Sequence, residues 1–309
     1  MIYYVFKDSQ KDYTCKSSGS DLISTFEKNG CIALTESNFL NSNFNPSDED
    51  VVVVYISVES QKSLEKLKSL NCVKVLHSID ESKSDAILYR TQLKFLEEVG
   101  SNTIINAYPS KRNLDFLSSK GLEVITLPLC GSKRMVDISN KDIDVLVSGQ
   151  MDASYYPTRT KILSALSKSD VKFAYLPHSG MEASKATHQY HGEKFLELLD
   201  RCWLGVTCKA GNFRDRLVAK YVEFGFSKVL PVGDVPTYMD KRMSESMLSI
   251  EESDSEEKII SKIKECLSNK ESLIRRIETY SSATEEIHDM EENVRRVVHL
   301  LQKLKTNTK

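Results

Sequence analysis

Residues 51–57 read Val-Val-Val-Val-Tyr-Ile-Ser, and no other stretch narrows the choice of fold as much. A strand with one wet face alternates apolar and polar side chains, whereas a strand that is apolar throughout suits a parallel sheet covered on both faces. Shorter β-rich runs recur at 2–6, 31–34, 73–76, 103–107 and 123–127, with helical periodicity between them at 61–70 and 91–99. This is a βαβ series, so it predicts an open α/β sheet.

Pro128, Gly131 and the polar stretch 132–140 break the series, which restarts at 143–148 and continues through 172–176, 204–207, 228–231 and 247–250. The reading is therefore two α/β domains, 1–135 and 136–309. A chain of 309 residues is long enough for each to bury a core. Ligands of such sheets bind outside the carboxyl ends of the strands, so the loops that follow strands are where function is sought. Near the C-terminus, Ile287, Met290, Val294, Val297, Val298, Leu301 and Leu304 form one apolar stripe, which predicts an amphipathic helix over 284–305.

The most informative chemical feature is an acidic pair, Asp215 and Glu223, in the segment Arg214 to Pro236. Leu217, Val218, Tyr221 and Val222 recur at helical spacing, so a helix is predicted over 215–224, ended by Gly225 ahead of a strand at 228–231. Asp215 then stands near a helix N-terminus, where free backbone N–H groups favour negative charge, a ligand phosphate included. Glu223 lies about two turns on, and a step of eight residues at roughly 100° each returns to within about 80° of the same face. A carboxylate so placed can accept hydrogen bonds from the vicinal hydroxyls of a ribose.

Three stretches carry a family resemblance: 144–163 (Asp-Val-Leu-Val-Ser-Gly-Gln through Tyr-Pro-Thr-Arg), 190–234 around the acidic pair, and 275–298 in the tail. The run 142–304 resembles the donor-binding domain of GT-B glycosyltransferases, in particular the group-one type and its spore-coat (spore maturation) relatives. That resemblance implies two Rossmann-like α/β/α domains facing a cleft. It also implies transfer of a sugar from a nucleotide-diphosphate donor to a glycan, protein or lipid-linked hydroxyl, with retention and without a bound metal or cofactor. Glu223 matches the family acid that binds the donor ribose. Asp215 matches the acid that faces the transferred sugar, where the family usually has Glu. In such enzymes a C-terminal helix crosses back onto the N-terminal domain; the stripe over 284–305 suits that, and equally suits a helix packed on its own domain.

A second constellation follows the strand at 143–148. Gly149 permits close backbone approach, and Arg159, in the first turn of a helix begun near Pro157, offers a fork of donors suited to phosphate oxygens. Lys209, Arg214, Arg216 and Lys220 cluster around the acidic pair, with Arg214 and Lys220 the preferred diphosphate ligands; a solvated helix face with ion pairs to Asp215 and Glu223 is the plain alternative. His77, after a strand of the first domain, is a candidate general base for an acceptor hydroxyl, against simple exposure at a strand end. His178, His188 and His191 lack the fourth ligand that a structural zinc wants, so no metal site is predicted.

The net charge of −2 gives no electrostatic footprint for nucleic acid. No stretch approaches the roughly 20 apolar residues of a membrane span, and the first residues do not resemble a signal peptide. Seven scattered cysteines without a C-x-x-C pair suit reduced thiols, and with them a cytoplasmic location. Two other readings stay open: a non-catalytic nucleotide-sugar binding module, and a sugar-nucleotide epimerase on the same fold.

Overall fold

The apolar runs become the strands of two parallel sheets. The protein is described here from a computed structural model, which covers the chain apart from residues 14–18, 42, 56–59, 79–86, 108–110, 179–188, 210–216 and 305–309, and apart from the side chains of 87–92 and 111–113. The chain divides into two compact units, Met1–Cys130 with Met290–Lys309, and Gly131–Asp289.

In the first unit β1 (Ile2–Phe6), β2 (Ile32–Thr35), β3 (Val51–Tyr55), β4 (Val73–Ser78), β5 (Thr103–Asn106) and β6 (Glu123–Thr126) lie in the order β2-β1-β3-β4-β5-β6, every neighbouring pair parallel. Between them run α1 (Ser20–Lys28), α2 (Glu36–Asn41), α3 (Gln61–Ser69), α4 (Ile87–Val99) and α5 (Lys111–Ser119). All of β3 is buried because its alternate side chains feed opposite cores. Val51, Val53 and Tyr55 join Tyr4 and Phe26 on one face, while Val52 and Val54 join Phe39 and Leu67 on the other.

The second unit holds β7 (Ile143–Ser148), β8 (Phe173–Leu176), β9 (Cys202–Val206), β10 (Leu230–Gly233) and β11 (Leu248–Ser249), parallel in the order β11-β10-β9-β7-β8. Its helices are α6 (Pro157–Ser167), α7 (Glu193–Asp200), α8 (Ala219–Phe226), α9 (Lys241–Ser246), α10 (Glu256–Ser268) and α11 (Lys270–His288). One face of this sheet packs Val145, Val147, Leu204 and Val206 against Ile162, Ile263 and Ile277; the other packs Leu146 and Cys202 against Leu199 and Phe224. The chain leaves β7 for β8 on one side and returns to β9 on the other, which makes the carboxyl ends of β7 and β9 the topological switch point.

Two predicted elements are corrected. The helix read as starting at residue 215 begins at Ala219, and Gly225 lies inside it instead of ending it. A Cβ at Gly225 would collide with Thr284 of α11, so this glycine is what lets the two helices touch. The turn comes later, at Ser227 and at Lys228 with its positive φ of 50°, which delays the following strand to Leu230.

The helix read as continuous over 284–305 is two. Asp289 has φ −58° and ψ 121°, outside the helical region, so α11 stops and α12 (Met290–Leu304) starts beyond it. Ile287 packs in the core of the second unit, whereas Met290, Val294, Val297, Val298 and Leu301 pack with Ile2, Phe26 and Val51 in the first. The C-terminal helix thus joins the N-terminal unit, the crossing-back arrangement of the two that the sequence allowed. The second unit ends at Asp289 and not at residue 309.

Candidate functional site

The candidate residues gather at the carboxyl end of β7. Gly149 follows the strand with φ +104° and donates its N–H to the Leu176 carbonyl at 3.0 Å. A short turn then forms around Asp152, whose carboxylate accepts from the Ser154 N–H (2.9 Å) and hydroxyl (2.6 Å); these bonds hold its pKa below the usual range. The turn delivers the chain to Pro157 at the first position of α6, where a missing N–H costs nothing.

Arg159, in the first turn of α6, folds back over this loop. It is 3% exposed. Its Nη1 donates to the Gln150 carbonyl at 3.1 Å, and its guanidinium carbon stands 4.3 Å from the centre of the Tyr156 ring. Its Nε is buried without a partner. Lys220, in the first turn of α8, reaches the same place: a Cβ built on Gly149 would lie 3.0 Å from Arg159 Nη1 and 3.2 Å from Lys220 Cε. The Lys220 ammonium sits 4.7 Å from the centre of the Phe195 ring of α7. Gly149, Arg159 and Lys220, separate in sequence, thus come together beside one strand end.

The neighbouring strand ends complete the floor. Thr207, just past β9, is fully buried, and its Oγ1 has no partner; the same holds for Oγ of Ser148, the last residue of β7. The Lys209 N–H donates to Asp234 Oδ1 at 2.9 Å, and the Tyr221 hydroxyl donates to the Asp234 carbonyl at 2.6 Å. Burial pushes the Asp234 carboxyl up, opposed by the Lys209 amide and the Thr158 hydroxyl. Gly233, with φ +153°, is required because a Cβ there would collide with the Thr207 carbonyl. Burial also pushes the Cys208 thiol up to about 11, so it is protonated at neutral pH.

Glu223 is half-buried on α8, three residues and so about one turn beyond Lys220 on a neighbouring face. Arg214, Asp215 and Arg216 lie outside the described residues, as does His188. The first turn of α8 begins at Ala219, four residues beyond Asp215 in sequence.

His77 is elsewhere, in the core of the first unit. It is 1% exposed, and its Nδ1 shares a 2.9 Å hydrogen bond with the Tyr4 hydroxyl. The rings of Tyr4, Phe26 and Tyr55 surround it, and burial lowers its pKa to about 3. The imidazole is neutral, as a base must be, but it is enclosed and not exposed at a strand end, so a direct proton transfer from an acceptor has no route to it in this packing.

Tyr156, Thr207 and Asp234 were not singled out in the sequence. The signal for the last was a Gly-Asp pair directly after a strand; the other two are distinguished only by what they touch. A surface groove between α6 and α10, lined by Ala165, Lys168, Glu256, Ile260 and Lys264 and crossed by a Lys168–Glu256 pair at 2.6 Å, lies at the far end of α6 from these loops. Among the described residues no group of three or more His, Cys, Asp or Glu side chains is placed to hold a metal ion, and no helix is long and apolar enough to cross a membrane.

No family model matches the sequence, and no curated protein does. Solved structures do match in fold. An alpha-glucosyltransferase in complex with UDP and a 13-mer DNA containing an HMU base is 11% identical, over 97% of this chain and 99% of that one, with a TM-score of 0.62. Anabaena HepE in complex with UDP-glucose is 10% identical, over 98% and 99%, with a TM-score of 0.64. This chain has the GT-B fold. TarM matches at 12% identity and a TM-score of 0.59 over 85% of this chain. This chain spans 57% of the length of TarM and 58% of that of the matched GtfA/B chain. At such identities the likeness establishes the GT-B architecture, two parallel α/β sheet units with helices on both faces.

Proposed function

We propose that this GT-B protein is a glycosyltransferase that moves a sugar from a nucleotide-diphosphate donor to a hydroxyl of a glycan, protein or lipid-linked acceptor. The observation that carries this reading is the convergence of Gly149, Arg159 and Lys220 at the switch point of the second unit. A glycine with positive φ lets an anion approach the backbone, and two cations from different helices face the same space. Structures of the same fold solved with UDP and with UDP-glucose support a nucleotide as the occupant.

In this mechanism the bond between the anomeric carbon and the diphosphate oxygen breaks, and negative charge grows on the leaving oxygen. Arg159 and Lys220, with Arg214 from the adjoining segment, stabilise that charge. The acceptor oxygen forms the new bond and, with retention of configuration, passes its proton to the departing phosphate. Glu223 holds the donor ribose and Asp215 faces the sugar; these two roles, the retention and the metal independence rest on the group-one and spore-coat resemblance. The cytoplasmic location belongs to the same reading.

The test is a thermal-shift screen of the protein against UDP, GDP, ADP, CDP and dTDP, with and without Mg²⁺, repeated on Glu223→Ala. A nucleotide at about one hundred times its Kd stabilises the fold by roughly 2.7 kcal/mol. One nucleotide should shift the wild type, with or without Mg²⁺, and shift the variant less. No shift with any of the five would overturn the reading. Binding of the matching sugar nucleotide without its consumption in the presence of acceptors would leave a binding module.

A further inference from the structure

Arg159 is held in an unusual way for a buried cation. No carboxylate of the described residues pairs with it; its contacts are one backbone carbonyl, Gln150 O at 3.1 Å, and the face of the Tyr156 ring at 4.3 Å. Its side chain is nevertheless 3% exposed, with Nε buried and unpartnered. A buried charge is ordinarily neutralised by an opposite charge or bound by several acceptors. Here the aromatic face supplies the attraction and leaves the charge intact.

We infer that Tyr156 is a positioning residue for the anion: its ring seats the Arg159 guanidinium so that Nε and its neighbouring Nη remain committed to no other group and present a two-donor fork to one phosphate. This rests on the donor-site reading above and deepens it. The local chain explains how the seat is built. Tyr156 is the N-cap of α6 with φ −133° and ψ 58°, fixed by its own N–H to the Asp152 carbonyl and by Pro157 after it. Three residues on, the side chain of Arg159 points back toward the helix N-terminus, as helical side chains do, and so lies over the ring. A carboxylate in the same place would hold the guanidinium as well, but an entering phosphate would then have to displace a like charge. The ring imposes no such competition, and it blocks the rotamers that would turn the fork away. The second cation, Lys220, also has a ring beside it, that of Phe195 on α7, 4.7 Å from its ammonium.

The experiment compares the wild type with Tyr156→Phe and Tyr156→Leu. Binding is titrated with whichever of UDP, GDP, ADP, CDP and dTDP binds the wild type, and with the corresponding nucleoside. The Arg159 side-chain Nε–H resonance is followed by NMR in the nucleotide-free protein. Phe keeps the ring and should keep both the affinity ratio of diphosphate to nucleoside and the upfield ring-current shift of that resonance. Leu keeps bulk without the π face; it should lower the ratio about tenfold and abolish the shift, with nucleoside binding unchanged. Equal ratios in all three proteins would overturn the positioning role while leaving the donor site standing. A wild type that binds none of the five nucleotides would remove both.

Discussion

His77 shows at the scale of one residue how burial reverses an expectation. Its unfolded pKa is near 6.5 and its folded value about 3, because the enclosed imidazole cannot be hydrated when charged. Above about pH 6.5 neither state is protonated and the group costs nothing. As the pH falls from there toward 3, the unfolded chain takes up a proton that the folded one refuses, and stability declines at up to about 1.4 kcal/mol per pH unit. Urea titrations at pH 7, 6, 5 and 4 should show this decline and a flatter profile for His77→Gln; parallel profiles would mean that His77 is not enclosed as described. The site residues divide by the kind of information that defines them. Gly149 and Arg159 were legible because a strand, a glycine and a proline-started helix are local signals. Thr207 was not, since an orphaned strand-end hydroxyl exists only once the helices have packed; Tyr156 is a local neighbour of Arg159, three residues away, but the direction in which the two side chains turn is not written in the sequence.

At the scale of the element, the strands were legible from apolar runs alone, and their order was not, because pairing depends on contacts distant in sequence. Helix ends failed where tertiary packing outweighed local preference. Gly225 is the clearest instance. In an isolated helix, replacing a glycine by alanine stabilises by about 1 kcal/mol. Here the added methyl meets Thr284, which also donates its hydroxyl to the Tyr280 carbonyl at 2.8 Å inside α11. Gly225→Ala should therefore destabilise the second unit by about 1–3 kcal/mol, measured by urea unfolding followed through Trp203. A stabilised variant would mean that α8 and α11 are less closely packed than described. The break at Asp289 escaped the periodicity for a related reason: the apolar stripe continues across it in sequence while the two halves serve different cores.

For the whole molecule, the order of segments decides what each unit is. The chain builds the first unit, builds the second between Gly131 and Asp289, and contributes α12 to the first again. Two similar sheets follow from two similar sequence series, and the glycine loop with its two cations lies at a strand end of the second. The proposed donor site rests on that group, which gathers on a single backbone position. At Gly149 a side chain would face both a positive φ and the two cations. Titration calorimetry of the wild type and Gly149→Ala with the nucleoside diphosphate that most stabilises the wild type is accordingly the most direct measurement. A folded variant is expected whose affinity is lower by tenfold or more, about 1.4 kcal/mol or greater. Equal affinity in the two proteins would place the nucleotide somewhere other than the end of β7 and overturn the proposed donor site.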